Sequence, residues 1–65
     1  MRNPERLDKF YDELKRLHKK YIPDWRFGQF MVNFLSDSYD KTKVDPFFYE
    51  ENKTLELLHQ FFGDT

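Results

Sequence analysis

The first third of the chain alternates apolar and charged side chains at intervals of three and four residues, the period of an amphipathic α-helix. Asn3 belongs to the residue types that commonly cap a helix start, and Pro4 suits the first helical position because no N–H is needed there. The pattern therefore predicts a helix over residues 4–21. Its apolar face is formed by Leu7, Phe10, Tyr11, Leu14, Leu17, His18 and Tyr21.

A second, more apolar helix is predicted over residues 25–36, and the rest of the chain is organised around it. Pro23 disfavours helical backbone at Ile22, and the Asp24 carboxylate can cap the new helix. Gly28 costs helix stability relative to alanine, so we expect it to let another helix or a bulky side chain approach closely. The inward face is predicted to hold Phe27, Phe30, Met31, Phe34 and Leu35.

Residues 36–51 show no helical period and are rich in Asp, Ser, Thr, Lys and Pro, which predicts a long extended loop. The second half of this loop, residues 44–49, is too apolar to remain in solvent, so we expect it to lie across the helices. Asn52 is the predicted cap of a last helix over residues 53–62, which Gly63 ends. Its inward side chains are Leu55, Leu58 and Phe62, flanked by Leu57 and Phe61.

These elements predict an all-α fold, a compact three-helix domain with the long loop between helices 2 and 3. The 65 residues make a single domain, residues 1–65, and its lack of cysteine excludes disulfides and thiolate metal sites. No apolar run approaches the roughly 18 residues that span a bilayer. Because the amino terminus is polar and charged, unlike a secretory signal, we expect a cytoplasmic protein.

Two short motifs carry a resemblance to a known group of proteins. The first is PDWRFGQ at residues 23–29, and the second is DPFFYEE at residues 45–51. The chain resembles small uncharacterised bacterial and phage proteins whose pattern is P-D-x-R-x-G-Q, a short helix, then D-P-F-Y, acidic residues and a final helix. The resemblance covers most of the chain. It implies a compact helical fold and no particular reaction, since the group has no assigned activity.

Candidate catalytic and metal-binding residues are few. His18 lies on the apolar stripe of helix 1 and His59 follows Leu58 on helix 3, positions typical of core or boundary histidines. The acidic residues of the loop lack the glycine and the closing glutamate of a calcium-binding loop. Ser36 and Ser38 have no base nearby in sequence and are expected at a helix end or turn. We therefore predict no catalysis, no cofactor, no bound metal and no small-molecule substrate.

Positive charge is concentrated at one end of the chain. Residues 1–22 carry seven basic and four acidic groups, whereas residues 23–65 carry four and eight. A basic cluster at the end of helix 1 could contact phosphate, which makes a helix-turn-helix-like nucleic-acid regulator the alternative function. It is the less favoured one, because helix 2 would be the reading element and has one basic residue. The cluster is Lys15, Arg16, Lys19 and Lys20.

Large aromatic side chains remain after the helical stripes are assigned to the core. A domain this small has little interior left for them, and exposed aromatic residues are favoured as interface anchors. We therefore expect a protein-interaction module that binds another protein or a second copy of itself, a class that includes phage-encoded inhibitors of host factors. The candidate contact residues, expected to cluster around the loop and the start of helix 2, are Trp25, Arg26, Gln29, Tyr39, Phe47, Phe48, Tyr49 and Phe61.

Local alternatives exist for two of these residues. Arg26 could pair with Asp24 or another nearby carboxylate, and Gln29 could bond a loop carbonyl. Likewise Phe47 or Phe48 could close the open end of the core. Each alternative would make the residue structural instead of available to a partner.

Overall fold

The computed structural model describes residues 2–64, and most of them lie in helices. Helix α1 spans Arg6–Tyr21, α2 spans Phe27–Thr42 and α3 spans Glu51–Phe62, with a 3-10 turn at Pro46–Phe48 between the last two. No strand occurs in this part of the chain. The all-α, three-helix fold predicted from the sequence is confirmed.

Helices α1 and α3 lie side by side and run in the same direction. Salt bridges join their starts and their ends in matching order: Arg6 to Glu51 at 2.7 Å, Glu13 to His59 at 2.7 Å, and Arg16 to Asp64 at 2.8 Å. The rings of Tyr21 and Phe62 stack at the far end with centroids 5.0 Å apart. The polar partners of the two helices are therefore 45 to 48 residues apart along the sequence.

Helix α2 runs in the opposite direction to the other two. Near its start, the ring of Phe30 lies 5.0 Å from that of His18, late in α1, and 5.6 Å from that of Phe62, at the end of α3. At its end, the hydroxyl of Thr42 lies 2.7 Å from that of Tyr49, just before α3 begins. The chain therefore forms an up-down-up arrangement of three helices.

The core draws on all three helices and is built mainly from Phe and Leu. The fully buried apolar side chains are Leu17, Phe30, Phe34, Leu57 and Leu58. Each was placed on an inward or flanking position by the spacing of apolar residues. Burying a side chain of this size stabilises the fold by about 1.5–3 kcal/mol. Because the buried set is so small, loss of any member would remove a large part of the stability.

The second helix begins two residues later and ends six residues later than the sequence pattern indicated. It continues to Thr42 and ends at Lys43, whose left-handed backbone (φ 58°) allows its N–H to bond the Tyr39 carbonyl at 2.7 Å. The long loop over residues 36–51 was therefore wrong; only residues 43–50 connect the helices, and they contain the 3-10 turn. The pattern failed because the small polar residue Ser38 is buried on the inward face, where an apolar residue was expected.

All three helix starts differ from the sequence prediction. The Asn3 Oδ1 accepts the Glu5 N–H at 2.9 Å, but α1 begins at Arg6, two residues later than predicted, with Glu5 and not Asn3 at the cap position. Asp24 does not cap α2, because a turn closed by the Trp25 N–H and the Ile22 carbonyl (3.0 Å) delays the helix to Phe27. Asn52 is not a cap either and lies inside α3, which begins two residues earlier than predicted.

The end of α3 follows the prediction. Gly63 adopts a left-handed backbone (φ 69°), which a glycine accepts without steric cost. Its N–H bonds the Gln60 carbonyl, and the Asp64 N–H bonds the His59 carbonyl at 2.8 Å. Gly63 thus ends the helix and turns Asp64 toward Arg16.

Three residues assigned to inward faces are exposed instead. Phe27 is 61% exposed because it precedes Phe30 by one turn, and Phe30 already packs against Phe62 at the end of α3. Tyr11 and Tyr21 of α1 are exposed as well, at the edges of the stripe. Gly28 serves no close approach inside the monomer, since, apart from its chain neighbours and its own helix backbone, no atom lies within 4 Å of the position its Cβ would take.

Candidate interaction surface

A short ordered turn presents the most exposed aromatic residues of the molecule. The Asp45 Oδ1 accepts the Phe47 N–H at 2.9 Å, and the Asp45 carbonyl accepts the Phe48 N–H at 2.9 Å. Pro46 fixes its own backbone φ, and its carbonyl accepts the Tyr49 N–H at 3.1 Å. The conformation of the turn is thus determined by local hydrogen bonds and by proline.

Tyr49 attaches this turn to the end of α2. Its half-buried ring packs against the core cluster, and its hydroxyl donates to the Val44 carbonyl at 3.0 Å. The same hydroxyl lies 2.7 Å from that of Thr42, whose oxygen also accepts the Val44 N–H. Tyr49, a candidate contact residue, therefore positions the turn more than it presents a free surface.

Phe47 and Phe48 point away from the core. Their rings are exposed, with 83% and 70% of each residue accessible, and they contact each other edge to face with centroids 5.1 Å apart. Val44 beside them is about half exposed. An open, mostly apolar groove of about 290 Å3 lies next to Phe48, between Thr42, Tyr49 and Lys53. The expected closure of the core by Phe47 or Phe48 is not seen.

The other candidate aromatics divide between core and surface. Trp25 and Phe61 are half-buried and pack against the core cluster, where the ring of Phe61 meets that of Phe34 edge to face at 5.6 Å. The Trp25 carbonyl lies 2.9 Å from the His18 Nε2, which fixes that loop on α1. Tyr39 is 48% exposed on α2. Only part of the predicted aromatic set is therefore available to a partner.

The predicted contact residues do not form one cluster. Arg26 and Gln29 are exposed at the start of α2, whereas Phe47 and Phe48 follow its end. The 16 residues of α2 separate the two groups by about 24 Å at 1.5 Å per residue. The two groups are apart because α2 continues to Thr42, which places the turn at the far end of the helix. Within residues 2–64 Arg26 makes no salt bridge with Asp24, so the local pairing considered for it is not formed.

The basic cluster on α1 is partly neutralised by carboxylates. Arg16 bonds both Glu13 and Asp64, and the Lys20 ammonium lies 4.0 Å from the same Asp64. Hydrogen bonds from Arg16 hold the pKa of Asp64 below its usual value. Lys15 and Lys19 have no carboxylate at salt-bridge distance among the described residues. Two of the four cations proposed for phosphate are thus already paired.

A groove of about 550 Å3, lined mainly by charged residues, lies between α1 and α3 and contains the closest approach to a catalytic pair. The His59 Nε2 lies 2.7 Å from the Glu13 Oε2. Hydrogen bonds from Arg16, and then from His59, lower the pKa of Glu13 to about 2. None of the lining side chains carries a hydroxyl or thiol nucleophile. The pair therefore joins α1 to α3. Its two residues are 46 positions apart, so no pattern in the sequence indicates that they are in contact.

Metal ligation and membrane insertion find no support in the described part of the chain. No group of three or more His, Cys, Asp or Glu side chains is arranged there to hold an ion. None of the three helices combines the length and the apolar composition needed to cross a bilayer. Comparison with protein-family models, with curated proteins and with solved structures gives no match to this chain.

Proposed function

We propose that this protein acts without catalysis, by binding another protein through the Phe47–Phe48 turn. The observation that carries the proposal is the exposure of two adjacent phenylalanines on a turn that is held by local hydrogen bonds. Apolar side chains are ordinarily buried by folding, and exposed apolar patches on soluble proteins often mark contact sites.

Preorganisation makes this turn a favourable anchor. Association ordinarily includes a cost of about 0.5–1.5 kcal/mol for each flexible side chain that must be immobilised. Here Asp45 and Pro46 fix the backbone, and Tyr49 attaches the turn to α2. The two phenyl rings also contact each other, which restricts their rotation. A partner would therefore gain apolar burial at little entropic cost.

The chemistry of the turn indicates the kind of site that would receive it. Phe47, Phe48 and Val44 require an apolar pocket, and each ring, fully buried there, would contribute on the order of 2 kcal/mol. Glu50 and Lys53 beside the groove would form a polar rim. We further propose that the protein acts in the cytoplasm. An inhibitor of a host factor, encoded by a phage, is one form that such a module would take.

The proposal is tested by capture from a host lysate with the wild-type chain and with a Phe47→Ala/Phe48→Ala variant. We expect the variant to keep its circular dichroism and thermal midpoint, because neither ring contributes to the core, and to lose the captured protein. Phe27→Ala is the matched control, because Phe27 is also exposed, at 61%, but lies at the other end of α2.

Calorimetry with the purified captured protein then measures the effect of each ring. We expect Phe48→Ala to weaken binding at least about 10-fold and the heat capacity change of binding to be negative, as apolar burial requires. Equal capture by the wild-type chain and the double variant would refute the proposed site. Unfolding of the double variant would show that the rings are structural.

A further inference from the structure

A second apolar surface lies along the outer flank of α2, apart from the turn. Four residues spaced by four, three and four positions share this flank, which we call the α2 stripe: Gly28, Val32, Leu35 and Tyr39. Val32 is 70% exposed, Tyr39 is 48% exposed and Leu35 is half-buried. Residues at such spacing lie along one side of a helix and form the seam where two helices pack. No other helix of the described chain covers Val32.

We propose that the α2 stripe is an antiparallel self-association surface whose occupant is the α2 stripe of a second copy. A two-fold interface must be self-complementary, so that residue i meets residue j and j meets i. One antiparallel register, in which facing residue numbers add to 67, satisfies this for the whole stripe. It places Gly28 opposite Tyr39 of the second copy and Val32 opposite Leu35 of the second copy.

The size of the facing residues supports this register. Apart from its chain neighbours and its own helix backbone, no atom lies within 4 Å of the position a Cβ on Gly28 would take, so this side of the helix leaves room for a large side chain. Tyr39 is the largest residue of the stripe. In the dimer, Tyr39 of each copy would lie over Gly28 of the other, so the contact occurs once at each end of the stripe. The glycine has a helical backbone, since the only positive φ among the glycines is that of Gly63, so conformation does not require it. Close approach of a second chain would give it a use.

Charge at the two ends supports a second copy over an unrelated partner. Asp24 lies four residues before Gly28, and Lys43 lies four residues after Tyr39. Asp24 precedes α2, so the helical register does not fix its position, but the antiparallel orientation directs the start of each α2, with Asp24, toward the end of the other, with Lys43. Both residues are exposed, and neither forms a salt bridge within residues 2–64. The antiparallel orientation additionally aligns the dipoles of the two helices favourably.

The dimensions of the monomer leave surface for such a contact. Its accessible surface is 5040 Å2, whereas a chain of 8.1 kDa ordinarily exposes about 4,500 Å2. Its radius of gyration is 11.9 Å, against about 10.7 Å for a compact chain of this length. The surplus of about 500 Å2 is in the range of one partner's share of a small, weak interface. The dimer is therefore expected to be weak and to form at high protein concentration.

Sedimentation equilibrium from about 10 μM to 1 mM tests the proposal with a matched pair of variants. Val32→Glu would bury a carboxylate at the seam of each chain, and we expect it to raise the dimer dissociation constant about 100-fold or more. Asn33→Glu introduces the same charge one residue later on the opposite flank and should leave the dissociation constant unchanged. A wild-type chain that remains monomeric at 1 mM would overturn the proposal.

Two further experiments distinguish a loss of the interface from a loss of folding, and an antiparallel contact from a parallel one. Gly28→Gln should leave the monomer's thermal midpoint unchanged or raised, because the site is open and helical, while it weakens the dimer. A mixture of Gly28→Cys and Tyr39→Cys chains, which have no other cysteine, should form the mixed disulfide in preference to either symmetric one. Preference for the symmetric disulfides would indicate a parallel contact and refute this register. A dimer lost on Phe47→Ala/Phe48→Ala but not on Val32→Glu would assign association to the turn instead.

Discussion

The buried hydroxyl of Ser38 provides the most direct test of the packing. Ser38 lies on the inward face of α2 and is 1% exposed, and its Oγ makes no hydrogen bond with any described residue. A buried polar group without a partner costs about 1–3 kcal/mol of desolvation. Ser38→Ala removes this cost. We therefore expect a substitution in the core, of a kind that ordinarily destabilises, to stabilise the protein.

The expected gain combines three contributions. Relief of desolvation accounts for about 1 kcal/mol or more, and the higher helix propensity of alanine adds about 0.5 kcal/mol. The small void left by the oxygen subtracts a few tenths of a kcal/mol. The net increase in the free energy of unfolding is about 1–2 kcal/mol. In a domain of this size each kcal/mol raises the thermal midpoint by about 4–8 °C.

Urea denaturation followed by the fluorescence of Trp25 and by circular dichroism measures the change. Ser36→Ala is the matched control, because Ser36 is exposed on the same helix, and it should gain only the propensity contribution of about 0.5 kcal/mol. Equal gains for the two variants, or a loss for Ser38→Ala, would refute the reasoning. Either result would show that the Ser38 hydroxyl is hydrogen-bonded in solution, for example to a carbonyl of the preceding helical turn.

Three further predictions follow from the contacts between elements. Because the pKa of Glu13 is lowered from 4.5 to about 2, its stabilisation is present above pH 4.5 and is lost as the pH falls toward 2. The Glu13 side chain is 26% exposed, so we expect solvent screening to limit this stabilisation to about 1 kcal/mol. Glu13→Gln should remove this part of the pH dependence of the urea midpoint. An unchanged pH dependence in that variant would contradict the role of Glu13. Tyr49→Phe should cost about 1 kcal/mol and speed amide exchange at Phe48, since the hydroxyl bonds to Val44 and Thr42 are lost; unaltered exchange would show that the turn is held by Asp45 and Pro46 alone. Nucleic-acid binding by Lys15, Arg16, Lys19 and Lys20 should be weak, independent of sequence and steeply reduced by salt, and a salt-resistant, sequence-specific gel shift would contradict this.

Local periodicity was sufficient to predict most of the helical framework. Helix–helix contact requires apolar residues every three or four positions, so the course of α1 and α3 and the buried positions of Phe30 and Phe34 followed from spacing alone. The end at Gly63 followed from backbone chemistry, because left-handed termination depends on neighbouring atoms only. The predicted cap at Asn3 was wrong, since α1 begins at Arg6. Aromatic content likewise predicted that some rings would remain outside the core.

Which rings those are was decided only by the tertiary structure. Trp25 and Phe61 pack against the core, whereas Phe47 and Phe48 stay outside, because the extension of α2 to Thr42 and the attachment of Tyr49 set where the turn emerges. That extension places the polar residue Ser38 on the buried face, which no polarity pattern predicts.

The salt bridges between α1 and α3 were equally beyond the sequence. Their partners are 45 to 48 residues apart, so their pairing exists only after two helices have packed in one particular direction and register. Sequence periodicity thus determined the elements and the faces that must be covered. The tertiary structure decided at which residue each helix ends and in which orientation the helices pack. These two features determine which charges are paired and which aromatic residues remain available to a partner.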